Sequence, residues 1–117
     1  MSQSLFGIHA AALELRSQRM RMIAGNIANA ATPGYKAKDI DFRAALAASQ
    51  KNGSGDADGA AKGATLYRVP VMPSMDGNTV ELQNEQIAFS ENAVGYSTTL
   101  EFIRGRVETL TRAMRGE

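Results

Sequence analysis

The chain has 117 residues, enough for one small domain (1–117), with 13 basic and 12 acidic side chains and a formal net charge of +1. That balance gives no electrostatic footprint of a nucleic-acid binder, and the lack of cysteine excludes disulfide frameworks and thiol chemistry. No apolar run approaches the roughly 20 residues of a membrane span, and the first residues show neither the basic start nor the apolar stretch of a cleavable secretory signal.

Ser2 to Ala31 is predicted as a long helix, capped by Ser2 or Ser4. Two files at alternating three- and four-residue spacing run along it. One is Leu5, Ile8, Ala12, Leu15, Arg19, Met22 and Asn26; the other is Phe6, Ala10, Leu13, Ser17, Met20, Ala24, Ile27 and Ala31. Consecutive helical residues are rotated by about 100°, so the files mark neighbouring faces. They read either as two binding faces, one for a helix of the same chain and one for a partner, or as a single broad apolar face. Arg16, Arg19 and Arg21 form a basic stripe, solvated or salt-bridged. His9, the sole histidine, has only Glu14 within reach on its helix and reads as a packing or surface residue rather than a catalyst.

The helix stops at GNIANAATPGYK, Gly25 to Lys36. Pro33 disfavours helical geometry at Thr32, and Pro33-Gly34 fits the centre of a type II turn. Asn29 and Thr32 suit the loose backbone groups at a helix end, and Tyr35 is placed to pack back on the helices. As chemistry, this is a well-made helix stop.

The middle of the chain, 32–81, reads as irregular, extended and partly flexible. Asp39 and Asp41 alternate along an extended piece and share a face, which suits surface charge. Phe42 to Gln50 fits a short alanine-rich helix. Lys51 to Gly63 is small, polar and glycine-rich, and reads as a flexible loop because it offers too little apolar surface to offset its ordering entropy. Asp56 and Asp58 begin like a calcium loop, but Ala60 and Lys62 occupy the following ligand positions and no closing glutamate is present. Ala64 to Val71 is an extended run; Pro70 and Pro73 restrict it to an edge strand or a polyproline segment. Asp76-Gly77-Asn78 is a tight turn, and either Asn78 or Thr79 is placed to cap the last helix.

The last segment, Leu82 to Arg115 (82–115), has the strictest pattern in the chain. Phe89, Ala93, Tyr96, Leu100, Ile103, Val107, Leu110 and Met114 recur at alternating four and three, and the register never slips. This is the seam of a helix packed along its length against other helices. Thirty-odd residues make a rod of roughly 45–50 Å, longer than the rest of so short a chain covers. The predicted fold is therefore all-α: long N- and C-terminal helices packed as an antiparallel coiled-coil hairpin, with assembly contacts on the two helices. No phosphate-cradling loop, nucleophile motif or metal-ligand spacing is present, so neither an enzyme nor a cofactor is expected.

Several strings resemble those of a known family. Asn26-Ile27-Ala28-Asn29 followed by Thr32-Pro33-Gly34-Tyr35-Lys36 is similar to the signature of the flagellar axial proteins of rod and hook. Asp39-Ile40-Asp41-Phe42, Tyr67-Arg68-Val69-Pro70 and Pro73-Ser74-Met75-Asp76-Gly77-Asn78-Thr79-Val80 narrow the likeness to the short proximal rod proteins of the basal body. The likeness covers both ends and the segment before the last helix; 50–63 has no family pattern. It implies a structural subunit of the periplasmic rod, exported through the flagellar type III channel without cleavage. It also implies identical copies, FliE, FlgC and export-gate components as partners, in a hollow shaft that transmits torque and conducts exported proteins. A rival reading from the residues alone is a membrane-surface protein whose N-terminal helix lies in a bilayer interface through Phe6, Leu13, Met20 and Ile27.

Overall fold

A computed structural model describes residues 7–51, 57–70 and 72–116, in the order α1 (Gly7–Ala28), β1 (Lys38–Ile40), α2 (Phe42–Lys51), α3 (Ala57–Gly63), β2 (Thr65–Tyr67) and α4 (Leu82–Arg115). Extents of 64 × 26 × 18 Å make a rod, and the 34 residues of α4, at about 1.5 Å each, supply roughly 50 Å of its length. The two long helices lie against each other and run antiparallel: His9 stacks near Phe102, Asn92 reaches Arg16, and Asn26 reaches Glu85. No described helix is long and apolar enough to cross a membrane.

The chain is mostly helical but not all-α. β1 and β2 form a two-stranded antiparallel sheet in which Lys38 faces Tyr67, Asp39 faces Leu66 and Ile40 faces Thr65. The strands are three residues each, and the segment between them carries α2 and α3. Asp41 starts α2: its carboxylate accepts the Ala44 N–H at 3.1 Å and its carbonyl the Ala45 N–H at 2.9 Å, which is N-cap geometry.

The expected flexible loop at Lys51–Gly63 is overturned over its second half, where Ala57–Gly63 is helix α3. Ala60 and Ala61 are buried there with Leu15 of α1, Ile40 of β1 and Ala45 of α2, and Met22, Phe42 and Leu46 pack around them. Small side chains that look like linker composition are here what lets three helices meet closely. Asp56 and the side chain of Asp58 lie outside the described residues, as do Ser2, Ser4, Leu5, Phe6 and Val71.

The cap of α4 also differs from expectation. Glu81, in extended backbone, occupies the N-cap position and makes no capping side-chain bond. Asn78 and Thr79 are turned instead toward the Pro33-Gly34 turn. At the other end Gly116 takes a left-handed conformation, φ 79°, and its N–H donates to carbonyls of the last turn.

Candidate functional site

Two strings separated by some forty residues close on each other as a clasp. Gly34 has φ 75°, and the Tyr35 N–H donates to the Thr32 carbonyl at 3.2 Å, so Thr32-Pro33-Gly34-Tyr35 is a turn that requires positive φ at its third residue. Facing it is the turn at Gly77, φ 78°. The Gly34 N–H donates to Asp76 O at 2.9 Å, the Thr79 N–H to Tyr35 O at 2.9 Å, and the Ala37 N–H to Thr79 Oγ1 at 2.8 Å. Lys36 Nζ donates to Gly77 O at 2.6 Å. At the centre is Asn78, 6% exposed, whose amide faces the carbonyls of Asn29, Ala30 and Thr32 at 2.7–3.1 Å while its own oxygen accepts the Val80 N–H at 2.7 Å. Asn29 in turn donates to the Gly25 carbonyl at 2.8 Å, and Thr32 Oγ1 to Asn29 Oδ1 at 3.0 Å. The turn that follows α1 therefore has its carbonyls met by a remote asparagine.

Beside the clasp is a buried charge network. Glu85 and Asn26 are fully buried. Asn26 Nδ2 donates to Glu85 Oε1 at 3.0 Å and to Lys38 O at 2.7 Å, and its oxygen accepts the Lys38 N–H at 3.1 Å. Arg68 bridges the two acids, with Nε 2.7 Å from Glu85 Oε2 and Nη2 2.9 Å from Asp39 Oδ2; neither contact has hydrogen-bond alignment, so both act as ion pairs. Arg19 completes the set through two hydrogen bonds to Asp39, at 2.8 and 3.1 Å. The Asp39 hydrogen bond raises the pKa of Arg19 against the burial that lowers it. Asp39 is thus a structural ion-pair partner, not the surface charge expected of it, and Asp41 is a helix cap. Among the described residues, no group of three potential ligands stands together as a metal site.

A third cluster sets the approach of the long helices. Arg16 lies over the Phe42 ring, 4.3 Å from its centroid, and its guanidinium fills the space over Gly95 of α4. A β-carbon at Gly95 would be 2.5 Å from Arg16 Nη1. Burial, and then the neighbouring Arg19, lowers the Arg16 pKa. With Arg16 and Arg19 engaged inside the fold, the arginines that a membrane-surface helix would offer to headgroups are largely occupied.

The inner file of α4 is Glu85, Ala88, Asn92 and Gly95, displaced by one residue from the apolar seam. Of the expected contact residues, Leu15 is fully buried, while Leu13, Met20, Ile27, Phe89, Tyr96 and Ile103 are half-buried. Ile8 is 47% exposed, Leu100 41%, Val107 45%, Leu110 36% and Met114 88%. The seam is therefore not a core within the subunit, because polar and small residues occupy the close contact with α1. Leu5 and Phe6 lie outside the described residues. Of the signature residues, the clasp brings together Asn29, Thr32, Gly34 and Tyr35, while Asn26 belongs to the charge network.

Paired long helices, a self-satisfied clasp and an apolar stripe left open define a structural subunit. Residues 6–36 match the model of the flagella basal body rod protein family. The chain is 48% identical to the flagellar basal body rod protein FlgB of Cereibacter sphaeroides over 95% of this chain and 94% of that protein. It is 43% identical to FlgB of Aeromonas hydrophila (96% and 93% covered), and 36% identical to FlgB of Salmonella typhimurium (90% and 88%). The chain belongs to the FlgB family of flagellar basal body rod proteins. Family and relatives alike point to a structural component of the flagellar rod rather than an enzyme.

Proposed function

We propose that this chain is a subunit that assembles helically, through its terminal helices, into the hollow shaft at the base of the flagellum. The observation that carries this reading is the seam of α4. Eight positions from Phe89 to Met114 repeat without a slip, yet Leu100, Val107, Leu110 and Met114 remain open to solvent at 36–88%. A regular apolar stripe wider and longer than its own chain covers calls for neighbouring helices. Those neighbours are identical copies and other axial proteins, FliE and FlgC among them, with export-gate components beneath. The shaft transmits torque and conducts exported proteins, stands in the periplasm, and receives its subunits unfolded through the flagellar type III channel.

The test is Leu110→Asp, expressed from the chromosome. Leu110 is an open seam position, so purified subunit should keep its circular dichroism and melting temperature. Cells should lose swimming, and isolated basal bodies should lack a complete rod in electron micrographs. Normal swimming with intact rods would overturn the reading.

A further inference from the structure

Charge is segregated along α4 and the segment before it. From Val69 to Ile103 there are five acidic side chains and no Lys, Arg or His; from Arg104 to Gly116 there are four arginines and one glutamate. Of the three acids within α4 before Arg104, Glu85 is buried against Arg68 and Glu101 pairs with Arg104 at 3.1 Å, which leaves exposed Glu91 on the outer face. The helix macrodipole favours that order only within the first and last turns. Glu91 lies more than two turns inside α4, and Arg104 and Arg106 lie well before its final turn. The pattern therefore exceeds what the helix itself requires.

Each charged region is joined to open apolar surface. In the acidic half, Ile87 and Val94 are 52% and 66% exposed, with exposed Glu91 beside them at helical spacing. In the basic end, Val107 and Leu110 lie between Arg106 on one side and Arg115 on the other. The two patches are about 30 Å apart along the helix, twenty residues at the usual rise, so one chain cannot bring them together.

We propose that the basic end of α4 docks on the outer face around Ile87, Glu91 and Val94 of α4 in a second copy of this chain, the two helices running in the same direction and staggered by about twenty residues. This rests on the assembly reading above and adds to it a partner surface, a polarity and a salt dependence. Because the two patches differ, the contact is heterologous: every added copy presents a fresh patch and the series stays open. Opposite charges set the register, and the apolar residues supply the burial.

The lack of cysteine in the chain makes the test direct. Ile87→Cys/Val107→Cys is purified as the full chain and oxidised; no internal disulfide spans that separation, since bonded residues need Cα atoms within about 7 Å. A ladder of disulfide-linked multimers is expected. A species that stops at the dimer would mean an antiparallel, closed pairing and would overturn the proposal. In parallel, sedimentation follows wild type, Glu91→Arg, and Arg106→Glu/Arg115→Glu at low and high salt, with circular dichroism confirming helix content. Each variant alone should fall to the monomer mass, 12.5 kDa for the wild-type chain, whereas a mixture of the two should co-assemble, as should the chain carrying all three changes. Wild type should dissociate as salt rises, because exposed charges are screened. Association unaffected by salt and by all three changes would overturn this contact and leave the assembly reading standing. A wild type that stays monomeric at every salt would overturn both.

Discussion

Asn78 sits where two turns meet, and its amide group faces three backbone carbonyls of the turn that follows α1. Asn78→Ala removes a buried amide from those carbonyls, of which Asn29 and Thr32 keep the N–H of Thr32 and Tyr35, and should cost about 1–3 kcal/mol. Asn78→Asp keeps the shape but puts an acceptor, charged at neutral pH, against three acceptors, so it should cost more than the alanine. Urea denaturation of the three proteins ranks them, and an aspartate no worse than the alanine would show that the amide donors do not hold the clasp. Gly34 gives an independent check. A β-carbon there meets nothing within 4 Å, so Gly34→Ala is penalised by its φ of 75° alone, about 1–2 kcal/mol. Pro33→Ala keeps the Tyr35-to-Thr32 bond and should lose less, through added freedom of the unfolded chain.

The charge network makes an asymmetric prediction. Arg68→Met strips fully buried Glu85 of its cation, a loss of about 3–5 kcal/mol for a buried acid left without its counter-charge. Glu85→Met leaves Arg68 still paired with Asp39 and partly solvated, so it should be milder. Arg68→Met/Glu85→Met should then be more stable than Arg68→Met alone. Thermal melts of the four proteins form the cycle, and strictly additive losses would mean that the 2.7 Å contact carries no coupling.

Between α1 and α4, two glycines of the same helix separate propensity from packing. Gly105 has open space where a β-carbon would go, and Gly95 has the Arg16 guanidinium. Each Gly→Ala change gains up to about 1 kcal/mol of helix propensity. Gly105→Ala should therefore raise the melting temperature. At Gly95 the methyl must displace Arg16 from Phe42, so that gain should be cancelled or reversed. Equal stabilisation by both would show that Arg16 gives way freely.

Legibility in the sequence depends on which signals are local. The spacing carries the first helix to Ala31, whereas it ends at Ala28, with Asn29 to Ala31 in turn. The presence of both long helices, the turn at Pro33-Gly34 and the short helix from Phe42 are nonetheless written in neighbouring residues. So was the cap at Asp41, an aspartate directly before an apolar helical run, although its alternation with Asp39 suggested surface charge instead. The inner file Glu85, Ala88, Asn92 and Gly95 was not legible. Hydrophobic spacing selects the seam one residue along, and the partners that make a glutamate and an asparagine good interior residues are Asn26 and Arg68 for Glu85 and Arg16 for Asn92, remote in sequence. Helix α3 was hidden for a similar reason: Ala60 and Ala61 look like linker until Leu15 and Ile40 are brought over them.

Taken as a rod 64 Å long, the molecule has its bonding concentrated toward one end. The clasp, the charge network and the core under Leu15 lie along α1 from Leu15 onward and against the first part of α4, where Glu85, Ala88 and Asn92 are buried. Past the His9–Phe102 contact, α4 runs on to Arg115 with every described residue except Ile103 and Thr111 exposed. Isolated helix in water is marginal, and local opening is easiest where few buried contacts hold the backbone. Amide exchange on dilute subunit should therefore be slowest near Asn26, Asn78 and Asn92 and fast from Arg104 to Arg115. Assembly should change that profile unevenly, protecting 104–115 strongly and the clasp hardly at all. Deferring the ordering cost of that end until a neighbour is present also fits the export of an unfolded chain proposed above. Fast exchange throughout both helices in the monomer would show that clasp and network do not stand without neighbours. Slow exchange at 104–115 before assembly would show that this end needs none.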